Sequence, residues 1–129
     1  MKYLISIFLF FSLPTQAKWL EKDWNYLVCQ HWHGTEEVWI DGGRVDCITN
    51  IHAIETEYAH KWHEAIGQSL YYSLGTGLKP GILVIKQNKK DDKYITRLLK
   101  TIKYYRLPIR LWVVKKNQQN EIELTLVSN

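Results

Sequence analysis

The spacing of apolar residues along the chain predicts an alternation of helices and strands. From Trp19 to Trp32 the apolar residues recur every three or four positions, which is typical of an amphipathic helix, and Gly34 ends it. The runs "EEVWI" and "RVDCIT" are rich in β-forming residues and are joined by "DGG", so they predict a β-hairpin. A third run, "HAIETEY", follows the "TN" turn and predicts another strand.

The second half of the chain continues this alternation. Apolar residues between Ala59 and Leu74 return to helical spacing, and "GTG" provides a C-terminal stop. "GILVIK" is a nearly continuous apolar run, which is typical of a strand buried on both faces. "DDKYITRLLKTIKYY" predicts a third helix, and "PIRLWVVKK" and "EIELTLV" predict two final strands separated by "NQQN". The predicted order is αβββαβαββ, in a chain of the α/β class that no linker divides.

The first 17 residues have a different pattern from the rest. The basic Lys2 precedes an apolar run from Tyr3 to Leu13, and small residues follow at the positions that signal peptidases prefer. This run of about 11 residues is shorter than the roughly 20 that a membrane-spanning helix needs, so an uncleaved anchor is the weaker alternative. We therefore predict a signal peptide at 1–17, a single domain at 18–129, no membrane contact after cleavage, and a periplasmic or secreted location.

Charge and cysteine content add two expectations. The chain has 17 Lys and Arg against 13 Asp and Glu, and cleavage after residue 17 removes one lysine, which leaves a net charge of about +3. This charge suits a polyanionic partner, although a basic soluble surface is the simpler explanation of charge alone.

The two cysteines, Cys29 and Cys47, would be in an oxidising compartment if the chain is exported. Their spacing does not establish geometry, so a disulfide and two buried thiols both remain open.

Acidic residues concentrate on the second and third predicted strands. Asp46 lies on the second strand, and Glu55 and Glu57 share one face of the third because they are two residues apart. A turn joins these strands, so the three carboxylates converge if the register places them on the same side. Clustered carboxylates repel one another, and a divalent metal would remove that conflict. Such a metal also supports phosphodiester hydrolysis, because it neutralises charge and activates water.

In this order of elements and residues the chain resembles the PD-(D/E)XK nuclease superfamily. The core of that superfamily runs helix, three-stranded meander, helix, strand, and its metal site combines an Asp on the second strand with a Glu-x-Lys on the third. The phrase "AIETEYAHKWHEAIGQSLYY" also resembles a small uncharacterised bacterial family within the superfamily. The resemblance covers about residues 19–115. It implies a restriction-endonuclease-like fold with a central mixed β-sheet flanked by helices.

The same resemblance implies a set of site residues and ligands. Asp46 and Glu55 match the metal-binding acids, which would hold Mg²⁺ or Mn²⁺, and Glu37 on the first strand matches an additional acid of several branches. The implied partner is nucleic acid, and the expected type is DNA. Gln68 and Tyr72 resemble the Gln-x-x-x-Tyr helix motif of RecB-like branches, where these side chains help position substrate. Hydrogen bonding at a helix surface is the alternative for both residues.

One position departs from the superfamily pattern. Glu57 occupies the place where the motif has lysine, which normally orients the attacking water. Lys61 follows four residues later, at the start of the next predicted helix, and can reach back to the same place. We interpret Lys61 as a migrated lysine and Glu57 as an extra metal or water ligand, with a degraded site as the alternative.

Three functions are compatible with these residues. The first is an exported metal-dependent nuclease in which Asp46, Glu55, Glu57, Lys61 and Glu37 are catalytic. The second is a catalytically inactive module on the same fold that binds nucleic acid or protein. The third is a disulfide-stabilised envelope protein that binds neither metal nor nucleic acid. A zinc site is a rival for the metal, although the spacing of its candidate ligands matches no zinc motif; these are His31, His33, His52, His60, His63 and Cys47.

Overall fold

The elements of the protein follow the predicted order αβββαβαββ, which is confirmed. The computed structural model describes residues 18–128, so the predicted signal peptide at 1–17 lies outside the described residues. The helices are α1 (Glu21–His31), α2 (Trp62–Thr76) and α3 (Asp92–Tyr104). The strands are β1 (Thr35–Ile40), β2 (Gly43–Ile48), β3 (His52–Tyr58), β4 (Lys79–Ile85), β5 (Arg110–Lys116) and β6 (Ile122–Leu126).

The six strands form one mixed sheet in the order β1 to β6. β1, β2 and β3 make an antiparallel meander, β3, β4 and β5 run parallel, and β6 returns antiparallel to β5. The two parallel connections need crossovers, and α2 and α3 supply them. The predicted α/β class with a central mixed sheet flanked by helices is therefore confirmed. Within residues 18–128, no helix combines the length and apolarity needed to cross a membrane.

Helices cover both faces of the sheet. On one face α1 packs Trp24 and Val28 against strand residues that include Ile54 and Leu83. On the other face α2 and α3 enclose a second apolar layer, whose buried residues include Ala65, Ile82, Val84, Leu98, Ile102 and Leu111. β4 contributes alternate residues to both layers, so its unbroken apolar run reflects burial on both faces, as the sequence predicted.

The ends of the helices differ slightly from the sequence prediction. A 3₁₀ turn, Ala59–Lys61, precedes α2, so the α-helix itself begins at Trp62. Gly75 and Thr76 continue α2, and the helix ends at Gly77, whose φ of 72° is readily available only to glycine. The predicted stop at "GTG" therefore acts through its second glycine. Lys61 lies at the junction of the two helical turns.

A disulfide connects α1 to β2. Cys29 and Cys47 are bonded, with their Cα atoms 5.8 Å apart, and this pairing decides between the two alternatives that the sequence left open. Gly34 lies against the bond where the chain enters β1. A Cβ atom at Gly34 would stand 2.7 Å and 2.8 Å from the two sulfur atoms, so a larger residue would displace α1 or β2.

Candidate active site

The hairpin of β1 and β2 is irregular at Asp46. The ladder between these strands lacks the pair of Glu37 with Asp46, and Glu37 has a φ of 51°. On either side of Asp46, Cys47 packs in the layer of α1 whereas Val45 packs in the layer of α2. The two-stranded ribbon therefore twists at Asp46, so that Val45 and Cys47 point to opposite faces of the sheet. This twist directs the Asp46 carboxylate sideways, toward β3.

A gap opens between β2 and β3 beyond Asp46. β2 pairs with β3 only through Cys47 and Ile48, while β3 stays paired with β4 along its length. Asp46 Oδ2 accepts a hydrogen bond of 2.8 Å from the Thr56 backbone N–H, in place of a ladder bond. The second half of β3 thus borders an opening that the Asp46 carboxylate bridges at one point.

Asn25 of α1 fixes the two sides of this gap. Its Nδ2 donates to the Asp46 backbone oxygen at 2.8 Å, and its Oδ1 accepts from the Thr56 hydroxyl at 2.7 Å. The residue is 5% exposed. Our sequence reasoning missed Asn25, although a signal was present, because Asn25 is a polar residue in the buried stripe of α1 beside Trp24 and Val28.

Glu55 and Glu57 of β3 face the gap and are buried, as their positions two residues apart predict. The pKa of Glu55 lies well above its usual range, first because of burial, then because of the charge on Asp46, a hydrogen bond to Asp46 and the charge on Glu57. Among residues 18–128, Glu55 Oε2 is buried and has no hydrogen-bond partner. Glu57 Oε1 accepts a hydrogen bond of 3.0 Å from the Tyr58 backbone N–H.

The groups around Asp46 shift its pKa in opposite directions. Burial raises its pKa most, and the charge on Glu57 raises it further. Hydrogen bonding with the Thr56 N–H and with the Glu55 side chain lowers this pKa, as does the Arg44 guanidinium. The net pKa of Asp46 is raised. Asp46 therefore accepts a hydrogen bond from the β3 backbone and lies beside the buried carboxyl group of Glu55.

Glu21, the first residue of α1, also reaches this group. Burial, a hydrogen bond with Glu57 and the charges on Glu57 and Asp46 raise the pKa of Glu21 to about 8, while Lys61 acts in the opposite direction. Glu21, Asp46, Glu55 and Glu57 form what we call the acidic cluster. Sequence reasoning missed Glu21, because an acidic residue in the first turn of a helix is ordinary and interacts favourably with the helix dipole.

Glu37 lies beside the acidic cluster instead of joining it. Its half-exposed carboxylate stands 3.8 Å from the Arg44 guanidinium. Arg44 in turn lowers the pKa of Asp46. The structure therefore does not place Glu37 within the acidic cluster. Glu37 lies at its border, where it contacts Arg44.

The three predicted residues after β3 occupy different positions. Lys61 is exposed and lies close enough to Glu21 to oppose the rise in that residue's pKa. Tyr72 is buried, and burial followed by the charges on Glu55 and Asp46 raises its pKa, which places the ring beside the acidic cluster. Gln68 is exposed one turn earlier on α2.

Three candidate ligands of the alternative zinc site have other contacts. His52 packs edge-on against Trp112 with ring centroids 5.2 Å apart, His60 stacks on Tyr58, and Cys47 is in the disulfide. Over residues 18–128, no three His, Cys, Asp or Glu side chains stand in the arrangement of a formed metal site. This finding gives the zinc alternative no support. It also means that the acidic cluster gathers oxygen atoms without a complete coordination sphere.

Comparisons with known proteins leave the family open. No protein-family model matches the chain, and a search of the curated proteins finds no match. Among solved structures, the chain is similar to SfsA of Pyrococcus furiosus, which was solved in complex with Ca²⁺. The two are 19% identical with a TM-score of 0.32, over 71% of this chain and 52% of that one. The chain thus spans about half the length of SfsA, and so low a TM-score carries no assignment of fold or function.

Proposed function

We propose that this protein is a metal-dependent nuclease of the PD-(D/E)XK type that hydrolyses phosphodiester bonds of nucleic acid. One observation carries the proposal: four carboxylates from α1, β2 and β3 lie together at the gap beside β3, near Lys61, which directly precedes α2. Burying several carboxylates together is costly without a cation. The arrangement is therefore easier to explain by a ligand than by stability.

The donor set of the acidic cluster suits Mg²⁺ or Mn²⁺. Carboxylate oxygens are the ligands that Mg²⁺ prefers, and it commonly keeps several waters, so it needs few protein ligands. Glu55 Oε2, buried and without a partner among the described residues, is an oxygen atom left free for such a ligand. Asp46 and Glu55 would hold the metal, with Glu57 and Glu21 completing the set. A divalent cation there supplies charge neutralisation at a phosphate and activation of water.

The remaining residues have roles that follow from their positions. Lys61 is exposed beside Glu21, so its ammonium is available to orient water or to stabilise charge that develops on the phosphate. Tyr72 is buried against the cluster and supports the positions of Asp46 and Glu55. Gln68, exposed one turn away on α2, would contact substrate at the rim.

A second candidate is an inactive module that binds nucleic acid or protein without cutting. Two observations favour it: Glu57 stands where the superfamily motif has lysine, and the acidic cluster is not a formed metal site within residues 18–128. This candidate predicts salt-sensitive binding without turnover.

We also propose that the protein acts outside the cytoplasm. The amino-terminal sequence at 1–17 has the features of a signal peptide, and the chain has a disulfide between Cys29 and Cys47. Disulfides persist in oxidising compartments such as the periplasm and the extracellular space. Both features support a periplasmic or secreted nuclease.

The decisive experiment compares cleavage by the domain from Lys18 onward with cleavage by its Asp46→Asn variant. Labelled single- and double-stranded DNA and RNA are incubated with Mg²⁺, Mn²⁺ or a chelator. The asparagine side chain retains an oxygen that can accept from the Thr56 N–H, whereas Asp46→Ala would leave that donor unpaired. We expect metal-dependent cleavage to fall by about a thousandfold or more in Asp46→Asn, because a metal ligand and its charge are lost.

The matched control is Asp41→Asn, which removes one acidic charge from the exposed turn of the β1–β2 hairpin. Its activity should equal that of the unmodified domain. Full cleavage by folded Asp46→Asn would overturn the site assignment. Binding of the same substrates without cleavage under any metal would favour the second candidate.

A further inference from the structure

A basic cleft lies at one edge of the sheet. It has a volume of about 430 Å³ and is lined by four lysines, Lys86, Lys89, Lys115 and Lys116, together with the side-chain amides of 87–88 and 117–119. We call it the lysine cleft. Its lysines come from the ends of β4 and β5 and from the turn that leads into α3. None of these residues belongs to the acidic cluster.

The strand register places the lysine cleft and the acidic cluster at the same edge. β3, β4 and β5 are parallel, and at their carboxyl ends Tyr58 pairs with Ile85, which pairs with Val114. Lys86 and Lys115 follow directly. Since neighbouring strands lie roughly 4.8 Å apart, these lysines are one and two strand spacings from the end of β3. An extended polymer can therefore contact both features at once.

Trp19 forms a physical connection between the two. The ammonium of Lys116 lies 4.3 Å from the centroid of the Trp19 ring, which packs on Trp24 at 5.0 Å. Trp19 precedes Glu21 of the acidic cluster by two residues. Lys116 of the cleft therefore contacts the segment that leads into α1, where the cluster begins.

Part of the positive charge in the cleft has no acidic partner. Lys86 pairs with Asp92, and Lys115 lies 3.6 Å from Glu123. In the described part of the chain, Lys89 and Lys116 form no such ion pair. Ammonium and amide donors in one cleft match the oxygen atoms of successive phosphates. Nothing in this set of donors is specific for a base, so contacts to the phosphate backbone dominate.

We propose that the lysine cleft binds the phosphate backbone of a nucleic-acid strand that continues from the cleft to the acidic cluster. The path of the strand rests on the proposed nuclease function, whereas binding in the cleft is measurable without cleavage. Binding is independent of base sequence and weakens as salt rises, because phosphates are neutralised and counterions are released.

The test is a double variant, Lys89→Glu with Lys116→Glu, assayed by fluorescence anisotropy of labelled single strands and duplexes of about 20 nucleotides. A chelator prevents cleavage, and salt is varied from about 50 to about 200 mM. We expect binding at low salt to weaken about tenfold or more, and the slope of log K against log salt to fall by about 2. The base sequence of the oligonucleotide should make no difference.

The matched control is Lys100→Glu with Lys103→Glu on α3. These exposed lysines give the same change of net charge, but α3 carries them away from the carboxyl end of β4 toward the start of β5. The control should bind almost as tightly as the unmodified domain. If charge reversal lowers the melting temperature of the cleft variant, Lys89→Gln with Lys116→Gln replaces it.

The outcomes separate this inference from the nuclease proposal. Equal weakening in the cleft and control variants overturns the cleft as a binding site, even if the protein cuts nucleic acid. Selective weakening in the cleft variant, with no cleavage by the unmodified domain under any metal, supports the cleft and overturns the nuclease. Failure of the unmodified domain to bind any oligonucleotide in chelator overturns the cleft, whereas the cleavage assay with Mg²⁺ or Mn²⁺ decides the nuclease separately.

Discussion

At the scale of single residues, the site depends on the groups that surround the Asp46 carboxylate. Oδ2 accepts from the Thr56 backbone, and the buried Glu55 carboxyl group lies close enough for each of the two side chains to affect the pKa of the other. Protons on Glu55 and Glu21 relieve part of the repulsion among the four carboxylates. A bound cation would replace those protons. The protein should therefore respond to pH and to divalent metal through the same side chains.

The stability of the metal-free protein should fall as pH rises above the usual carboxyl range. Unfolded glutamates ionise with a pKa near 4.5, whereas the folded state keeps Glu21 protonated to about 8 and raises the pKa of Glu55 and Asp46. Between these limits the folded state binds more protons, so the free energy of unfolding decreases with pH. We expect a lower melting temperature in chelator at about pH 8 than at about pH 5.

Glu55→Gln is the control for this pH dependence. Its side chain can still donate to Asp46 but carries no charge, so the melting temperature should vary less with pH. Millimolar Mn²⁺ at the higher pH should raise the melting temperature of the unmodified domain and have a smaller effect on the variant, because ligand binding stabilises the folded state. A melting temperature that rises with pH in chelator would contradict the assignment of raised pKa values.

Lys61 should be required for turnover but not for folding. It is exposed at the start of α2 and near Glu21, so Lys61→Met removes the ammonium without opening a cavity. We expect kcat to fall by about a hundredfold or more, with little change in melting temperature. Lys22→Met, on an exposed position of α1, provides the control. Unchanged kcat in Lys61→Met would show that the lysine did not migrate to this position.

At the scale of elements, α1 organises the site although the strands hold most of its acids. Glu21, Asn25 and Cys29 recur every four residues and so share one face of the helix. They supply a carboxylate, a buried amide that spans the gap, and one half of the disulfide. A small shift of α1 would change the distance between Asp46 and β3.

Asn25→Ala should destabilise the protein more than an ordinary surface substitution. The change removes two hydrogen bonds and leaves the Asp46 backbone oxygen and the Thr56 hydroxyl without this partner. We expect the free energy of unfolding in urea to fall by about 2 kcal/mol. Gln30→Ala on the exposed side of the same helix should cost about 0.5 kcal/mol or less. Equal effects of the two substitutions would argue against a stabilising role for the hydrogen bonds that Asn25 makes to Asp46 and Thr56.

At the scale of the whole molecule, the chemistry is concentrated at one edge of the sheet. The parallel strands β3, β4 and β5 end there, and the acidic cluster and the lysines at the ends of β4 and β5 lie beside those strand ends. The disulfide joins the last turn of α1 to β2 beside Ile54, in the first half of β3. Exported proteins retain such a bond, whereas a reducing compartment would remove it.

Reduction of the disulfide should lower the stability of the whole fold. The bond closes a loop between residues separated by 18 positions, for which chain entropy gives about 3 kcal/mol. Urea unfolding with and without reductant measures the difference. The double variant Cys29→Ala with Cys47→Ala should be insensitive to reductant, and the unmodified domain should resemble it after reduction. Equal stability in both redox states would contradict a structural role for the bond.

The element order was predictable from sequence because it depends on local periodicity. A helix packed on a sheet repeats its apolar residues every three or four positions, and a strand buried on both faces is apolar throughout. "GILVIK" and the helix after "DD" follow these rules, and "DGG" marks the hairpin. The placement of Asp46 on β2 and of Glu55 and Glu57 on β3 follows from the same local patterns.

Only the tertiary structure decided which acidic residues meet. The resemblance favoured Glu37 as a site residue and gave no role to Glu21. The structure leaves Glu37 beside Arg44, however, and the packing of α1 brings Glu21 to Glu57. The pairing of Cys29 with Cys47 and the gap between β2 and β3 were decided in the same way. The periodicity of apolar residues shows which side of one segment packs against the core. The convergence of side chains from several segments depends on strand register and twist, which involve residues far apart in the chain.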